Sequence, residues 1–405
     1  MNSVFISYRR DVSSFIARAV FQDLRANGVD VFMDIESIDS GQFDAIILNQ
    51  IAARPYFLLI LTPGTLDRCQ EPGDWLLREL AQAVNLNRVI IPLVTPNFSF
   101  EDANFLPEPL ATDLPRFNSV KVEHEWFDEG MVRLRTRFLK DIDLLVVPTP
   151  KADQAKIQQK VAQVQAEPLI TEQQLSAQAH FEKGLARPTR NLDEKIADYS
   201  EAIRLNPQDA NTFYRRGIVN QYKNDYEAAI ADYSKAIELA PKFFDAYMVR
   251  AIAYSDVGDT NSALADYTEA IDINPLNSNG YLQRGGCYYD IGDFNSAIRD
   301  FTSAIKINPN TGFFSDRAEC YFALGQHEKA AADFKIALAL DHSNYSAIAG
   351  IALAHYAMQQ MGEAKRIWRS LLDIDGRYGD ADWVENELNW AKPLTEMAHL
   401  LIGEL

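Results

Sequence analysis

Short apolar runs alternate with amphipathic segments over the first third of the chain. The runs have the length and the β-branched and aromatic content of strands, and the apolar positions between them recur at helical spacing. The candidate strands are residues 3–8, 29–34, 56–62, 88–95 and 119–126. This alternation predicts an α/β domain with a parallel sheet over residues 1–147.

The second half of the chain repeats itself with a period of 34 residues. A motif of the form A-I-x-x-N-P, with variations, places its alanine at positions 202, 236, 270, 304 and 337, so successive copies are 34, 34, 34 and 33 residues apart. Each copy predicts a pair of amphipathic helices. Because one pair cannot bury its apolar face alone, several pairs must stack into an all-α solenoid.

The period and the pattern of these copies resemble tetratricopeptide repeats. Five clear copies and a sixth, degenerate copy extend over residues 175–376, and residues 377–405 are expected to form capping helices. Residues 148–174 are a polar linker with flanking prolines and many helix-forming residues, which predicts a helical connection. The array is expected to bind a protein, a peptide or another ligand in its groove, or to arrange an oligomer.

An arginine recurs with the same period on the first helix of each pair. It lies at positions 216, 250, 284 and 317. These arginines either line the groove of the solenoid or form ion pairs with nearby aspartates. The sequence leaves both interpretations open.

The composition argues against polyanionic partners. Lys and Arg number 39 and Asp and Glu number 57, so the net charge is −18. The balance is −7 before residue 147, from 14 basic and 21 acidic residues, and −11 after it. Nucleic acid and membrane surfaces are therefore not expected as partners. The three cysteines and six histidines have no metal-site spacing, and without a signal peptide or a membrane-spanning run the chain is expected to be cytoplasmic.

The candidate chemistry lies beyond the carboxyl ends of the strands, where parallel sheets bind their ligands. The segments that follow the first four strands are Tyr8 to Arg10, Asp34 to Phe43, Thr62 to Trp75 and Thr95 to Phe100. The chain has neither G-x-G-x-x-G nor G-x-x-x-x-G-K-[ST], so neither a dinucleotide-binding Rossmann site nor a P-loop is indicated. A nucleotide bound here needs other cations, and Arg9 and Arg10 are the candidates.

Three of these segments carry a specific resemblance. VFISYRRD, GVDVFMDIESIDSGQFDAII and LTPGTLDRCQEPGDWLLREL resemble the successive boxes of a TIR domain over residues 3–140, which implies a flavodoxin-like parallel sheet. They are most similar to the NAD-cleaving branch, which includes the animal TIR enzyme of axon degeneration and many bacterial immune proteins. The W-x-x-x-E arrangement of that branch is intact as Trp75 and Glu79. Fusion to tetratricopeptide repeats is an arrangement expected mainly of bacteria.

The resemblance implies that Glu79 is the catalytic carboxylate of an NAD+ glycohydrolase. Nicotinamide departs from NAD+ as a neutral molecule, so the difficulty lies in the oxocarbenium-like charge left on the ribose, which a fixed carboxylate stabilises. Trp75 and Glu79 are four positions apart, so both face one side of a helix. The alternative for Glu79 is a solvated side chain on an amphipathic helix.

The other candidate site residues each have a functional and a structural interpretation. Arg9 and Arg10 bind the phosphates or anchor a loop, or they form salt bridges to Asp11 or Asp34. Tyr8 and Phe43 enclose nicotinamide, or they pack at the end of a strand and in the core.

Three further residues complete the set expected on one chain. Asp34 orients Arg9 or caps a turn, Gly41 lets its loop bend, and Trp75 is a wall of the pocket or part of the core.

The resemblance implies that two more residues belong to a site that is completed by an adjacent subunit. In the relatives that the chain resembles, NAD+ lies between two TIR domains, and the second contributes an aromatic ring and a histidine. Phe100 and His124 occupy those positions here, although the relative carries Trp where this chain has Phe100.

Together these features predict an NAD+ glycohydrolase that is activated by self-association of its TIR domains and regulated through the repeat array, in bacterial immune or stress signalling. It needs no cofactor, because NAD+ is its substrate. The products are nicotinamide and either ADP-ribose or a cyclic ADP-ribose isomer, and the sequence does not separate hydrolysis from cyclisation. The alternative function is a non-enzymatic TIR and tetratricopeptide scaffold for protein–protein interaction.

Overall fold

A computed structural model of the chain forms two compact units, Met1–Asp225 and Tyr226–Leu405. The structure describes residues 3–33, 41–71, 73–101, 106–123, 126–140, 144–388 and 390–405, and for residues 41–44 it describes the backbone alone. The first unit thus contains the sheet, the linker and the first helices of the repeat array. The domain bounds 1–147, 148–174, 175–376 and 377–405 stay predictions.

A parallel sheet is the centre of the first unit. Within the described residues it has five strands: β1 (Ser3–Ser7), β2 (Asp30–Met33), β3 (Tyr56–Leu61), β4 (Val89–Val94) and β5 (Val120–Lys121). Their order is β2-β1-β3-β4-β5, and every neighbouring pair is parallel. This is the flavodoxin-like order, which confirms the predicted fold class. The direction of the crossovers changes between β1 and β3, where such sheets bind their ligands.

Helices cover both faces of this sheet. They are α1 (Arg10–Ala26), α2 (Gly41–Ala52), α3 (Trp75–Asn85), α4 (Leu110–Asp113) and α5 (Phe127–Arg133), with a 3₁₀ turn at Leu114–Arg116 and a π-helical stretch at Leu134–Phe138. Successive side chains of a strand point to opposite faces. Accordingly Val4 and Ile6 pack with α1 and α5, whereas Phe5 packs with α2 and α3.

The predicted linker helix is not purely a solvated connection. It forms α6 (Lys151–Gln165), and its apolar residues Ile157, Val161 and Val164 lie at positions i, i+4 and i+7 of one face. Ile157 and Val164 are buried, and both belong to the hydrophobic clusters of the sheet. A single apolar stripe is therefore enough to attach this polar helix to the first unit.

The first helices of the array complete this unit. They are α7 (Glu172–Ala186), α8 (Leu192–Leu205) and α9 (Ala210–Tyr222). Val12 of α1 is buried in one cluster with Phe181, Tyr199 and Val219 of these helices. The amide of Gln178 donates to the backbone oxygen of Val12 at 2.7 Å. The array therefore begins in direct contact with α1.

The second unit is a run of helices that pack on each other in sequence order, as the 34-residue period predicts. Its helices are α10 (Tyr226–Leu239), α11 (Phe244–Asp256), α12 (Thr260–Ile273), α13 (Ser278–Asp290), α14 (Phe294–Ile307), α15 (Thr311–Ala323), α16 (His327–Leu340), α17 (Tyr345–Ala357), α18 (Met361–Ile374), α19 (Ala381–Glu387) and α20 (Lys392–Gly403), with a 3₁₀ turn at Gly376–Gly379. In one of the helix pairs the ring of Phe301 on α14 packs on Gly285 of α13. No helix in the described ranges is long and apolar enough to cross a membrane.

The recurring arginines of this unit form ion pairs, which confirms the second of the two interpretations. Each guanidinium bonds both oxygens of an aspartate sixteen residues later, on the second helix of its own pair. The pairs are Arg250–Asp266, Arg284–Asp300 and Arg317–Asp333, at 2.7, 2.8 and 2.7 Å. The remaining guanidinium nitrogen, Nη1, donates to a hydroxyl on the second helix of the preceding pair, namely that of Ser234, Thr268 or Thr302. These arginines therefore join consecutive helix pairs.

Candidate functional site

The carboxyl ends of β1 and β3 bring two segments together that are far apart in the sequence. Ser7, the last residue of β1, is in register with Leu59 of β3. The chain leaves β1 through Tyr8 and Arg9 into α1, and the segment between β3 and α3 is described at residues 62–71 and 73–74. The predicted site residues of these two segments therefore meet at one edge of the sheet.

Glu79 lies in the second turn of α3 and is buried, with 3% of its surface exposed. Its carboxylate oxygen Oε2 accepts a hydrogen bond from the Ser7 hydroxyl at 2.5 Å. The alternative of a solvated surface side chain does not describe this glutamate.

The start of α3 is fixed by Asp74. Its Oδ1 accepts from the backbone N–H of Leu77 at 3.0 Å and so caps the helix. The Oδ2 of the same carboxylate pairs with Nη1 of Arg9 at 2.6 Å. Asp74 therefore connects the helix that carries Glu79 to the residue that follows β1.

Arg9 is an anchor of the loop after β3. Its side chain is buried, and besides the pair with Asp74 its Nε donates to the backbone oxygen of Thr65 at 3.0 Å and its Nη2 lies 3.6 Å from Sγ of Cys69. Burial lowers the pKa of the Arg9 guanidinium, but the hydrogen bond and the charge of Asp74 more than offset this, so the pKa is raised. Of the roles considered for Arg9, these contacts are those of loop anchoring.

Cys69 belongs to the same anchor. Its Sγ lies 3.5 Å from Oδ1 of Asp74. Burial, followed by the charge of Asp74, raises the pKa of the thiol to about 12. The side chain therefore stays a thiol at neutral pH and is a structural group rather than a nucleophile.

Trp75 is the first residue of α3 and is half-buried against the cluster between α2 and α3. The guanidinium of Arg78 lies 4.2 Å from the centre of its rings. Its Nε1 is buried without a hydrogen-bond acceptor among the residues that the structure describes. Trp75 thus makes the core contact that was one of its two interpretations, and its role as a wall of the pocket stays a prediction.

The other predicted residues are only partly placed by the structure. Tyr8 is half-buried against the cluster of α1, and Arg10 is half-buried as the first residue of that helix. The backbone of Gly41 begins α2, whereas Asp34, the side chain of Phe43 and His124 lie outside the described residues. Phe100 is half-buried and packs edge-to-face on Phe98, with 5.4 Å between the two ring centres. Its role in an adjacent subunit's site stays a prediction.

Two residues of the site, Ser7 and Asp74, are not among the candidates that the sequence indicates. Asp74 carries a recognisable signal, since an aspartate directly before an amphipathic helix is a preferred N-cap. Ser7 carries none, because its contact with Glu79 follows from β1 and β3 being neighbours in the sheet.

Comparison with known proteins divides the chain in the same way. Residues 4–131 match the TIR domain family, and residues 210–243, 248–310 and 282–345 match tetratricopeptide repeats. Over 153 residues the chain is 36% identical to NAD(+) hydrolase sarm1 of Drosophila melanogaster, and over 140 residues it is 35% identical to NAD(+) hydrolase SARM1 of Danio rerio. Over 154 residues it is 33% identical to NAD(+) hydrolase tir-1 of Caenorhabditis elegans.

These matches are partial. They cover 36%, 34% and 36% of this chain, and the chain spans 11%, 19% and 15% of the length of the three relatives. Among solved structures, the chain is similar to MamA at 19% identity, with a TM-score of 0.40 over 45% of this chain and 97% of that one. It is also similar to the tetratricopeptide repeat protein YrrB at 18% identity, with a TM-score of 0.42 over 50% and 97%.

Proposed function

We propose that this chain, which carries a TIR domain followed by tetratricopeptide repeats, is an NAD+ glycohydrolase. The observation that carries the proposal is the position of Glu79. Its buried carboxylate is hydrogen-bonded by Ser7 at the carboxyl edge of the sheet, beside the point where the crossovers change direction. The three relatives that align with this domain are named NAD(+) hydrolases, which supports the same reaction here.

Cleavage of the nicotinamide–ribose bond requires one negative charge that is fixed in position near the ribose. The bond between the nicotinamide nitrogen and C1′ of the ribose breaks with its electron pair going to nicotinamide, which leaves as a neutral molecule. Positive charge develops on the ribose, and the Glu79 carboxylate stabilises it. Because the charge is held in place before the reaction, little reorganisation is needed in the transition state. Water then attacks C1′ and loses a proton, which gives ADP-ribose. Attack by an adenine nitrogen of the same molecule gives a cyclic isomer instead.

The neighbouring residues suit the rest of the substrate. Trp75 supplies an aromatic wall, since its rings are half-buried against the cluster between α2 and α3. Tyr8 provides a second aromatic surface. The N-terminus of α1, at Arg10, favours an anion such as the pyrophosphate, and the acidic surroundings make such a local positive site necessary.

The proposal extends to self-association and to the repeat array. A second TIR domain contributes Phe100 and His124 to the site of the first. Regulation through the array is supported by the ion pair between Arg215 of α9 and Asp11 of α1 at 2.8 Å, since Asp11 is two residues from Arg9. A displacement of the first repeat would thus be transmitted through Asp11 to Arg9, whose ion pair with Asp74 holds the start of α3. A role in bacterial immune or stress signalling is part of the same proposal.

The test is a measurement of NAD+ loss and of product identity by chromatography over a series of protein concentrations. Wild type is compared with Glu79→Gln, which keeps the shape of the side chain and removes its charge. Glu129→Gln, an exposed position on α5, is the matched control. Turnover per molecule is expected to rise with concentration in the wild type and the control, and to be lost in Glu79→Gln.

Two results would contradict the proposal. Full turnover by Glu79→Gln means that this carboxylate is not the catalytic one. No turnover at any concentration, in samples that light scattering shows to be oligomeric, favours the non-enzymatic scaffold.

A further inference from the structure

Ser7 is a buried polar residue at the end of a strand that is otherwise apolar. One per cent of its surface is exposed, and it follows the buried residues Val4, Phe5 and Ile6. Its hydroxyl bonds Oε2 of Glu79, 72 residues later in the chain, at 2.5 Å. A hydroxyl in such a place is costly unless it is hydrogen-bonded, so the contact with Glu79 accounts for its presence.

We infer that Ser7 is a positioning residue for the carboxylate of Glu79, an inference that rests on the proposed function. The backbone of α3 sets where the Glu79 side chain begins, but three rotatable bonds separate the backbone from the carboxylate. A donor on β1 removes much of that freedom, because the end of β1 is itself fixed by pairing with β3 through Ser7 and Leu59. The sheet thereby determines where the negative charge lies.

The contribution of Ser7 is to the transition state rather than to substrate binding. The hydroxyl touches the carboxylate that faces the developing ribosyl charge, and the proposal gives it no contact with the adenine or the phosphates. Its removal is therefore expected to lower kcat and to change KM little. A hydrogen bond to a charged group corresponds to about a 10- to 100-fold change in kcat.

The experiment compares Ser7→Ala, which removes the hydroxyl, with Ser7→Thr, which retains it in a residue suited to a strand. Ser3→Ala, at the other end of β1, is the matched control because it also removes a hydroxyl from that strand. For each full-length variant, kcat and KM for NAD+ are measured at a concentration where the wild type is fully active. We expect a 10- to 100-fold lower kcat for Ser7→Ala at a KM within about threefold of wild type, with most of the rate restored by Ser7→Thr.

A second measurement does not depend on activity. Urea unfolding is followed for wild type, Ser7→Ala, Glu79→Gln and the double variant. If the hydroxyl and the carboxylate are bonded, the two single changes are not additive, and the unfolding equilibrium constants differ from the additive value by about tenfold. This cycle also shows whether Ser7→Ala folds.

The outcomes separate the inference from the proposed function. If Glu79→Gln is inactive while Ser7→Ala keeps the wild-type kcat, the inference is wrong and the proposed function stands. Additive effects on unfolding overturn the inference as well. If Ser7→Ala raises KM at an unchanged kcat, Ser7 acts in binding and the inference is again wrong. Full turnover by Glu79→Gln overturns the proposed function and, with it, the catalytic part of the inference.

Discussion

The ion pair between Arg9 and Asp74 should determine whether the helix that carries Glu79 keeps its first turn. Both side chains are nearly inaccessible to water, with 8% of Arg9 and 4% of Asp74 exposed. Arg9→Met keeps the length of the side chain and removes the charge. Removing one partner of a buried pair costs about 3–5 kcal/mol, because the other charge stays buried. Asp74 keeps the Leu77 amide and the Cys69 thiol as donors, so we expect about 3 kcal/mol.

Hydrogen–deuterium exchange measures this loss where it occurs. The amide of Leu77 donates to Asp74, so its exchange reports the opening of the first turn of α3. A loss of about 3 kcal/mol in local stability makes its exchange about 150-fold faster. Arg68→Met is the matched control. Arg68 lies in the same loop, but 49% of its side chain is exposed and its pair with Asp11 is long, at 3.7 Å, so the exchange of Leu77 should change less than fivefold.

Kinetics on the same variant distinguish the two roles of Arg9. If Arg9 is an anchor, Arg9→Met lowers kcat and accelerates exchange in α3. Unchanged exchange at Leu77 together with a raised KM for NAD+ would refute this reasoning, and it would assign Arg9 to the phosphates. An equal rise of exchange in all strands would mean that the whole first unit, rather than α3, has lost stability.

Two further predictions concern the second unit. Gly285→Ala should destabilise it by about 1–3 kcal/mol, because an added Cβ would lie 2.8 Å from the Phe301 ring. At the neighbouring Gly286 an added Cβ meets nothing within 4 Å, so Gly286→Ala should stabilise α13 by about 0.5–1 kcal/mol. Urea unfolding checks both variants, and equal effects on the free energy of unfolding would contradict the packing argument. Burial raises the pKa of Glu319 from 4.5 to about 8, although a hydrogen bond from Tyr289 opposes the shift. Because the folded-state pKa lies above the unfolded one, stability should be lost as the pH rises from about 4.5 to 8, by up to about 1.4 kcal/mol per pH unit. Unfolding at pH 5 and pH 8 measures this loss, and a Glu319→Gln variant with the same dependence would exclude Glu319 as its cause.

The fold was predictable because its signals are local or periodic. Apolar runs bounded by turns mark the strands, and a fixed period marks the helix pairs, so neither requires knowledge of which elements are neighbours. The linker is an element whose packing these local signals do not predict. Its composition is that of a solvated helix, but three apolar residues at helical spacing dock α6 on the first unit. The recurring arginines are similar, since their period is evident while their aspartate partners depend on the packing of each pair.

The sequence predicts Glu79 and Arg9 as site residues, but it does not predict the partners of their side chains. Glu79 and Arg9 were both expected at the carboxyl edge of the sheet, but the structure gives them different surroundings. The guanidinium of Arg9 is paired with the carboxylate of Asp74, whereas Oε2 of Glu79 accepts a hydrogen bond from the Ser7 hydroxyl. In both contacts a residue at or just after the end of β1 meets a residue at the start of α3, the helix that follows β3. Both contacts therefore depend on β1 and β3 being neighbours in the sheet, and spacing along the sequence does not show that adjacency.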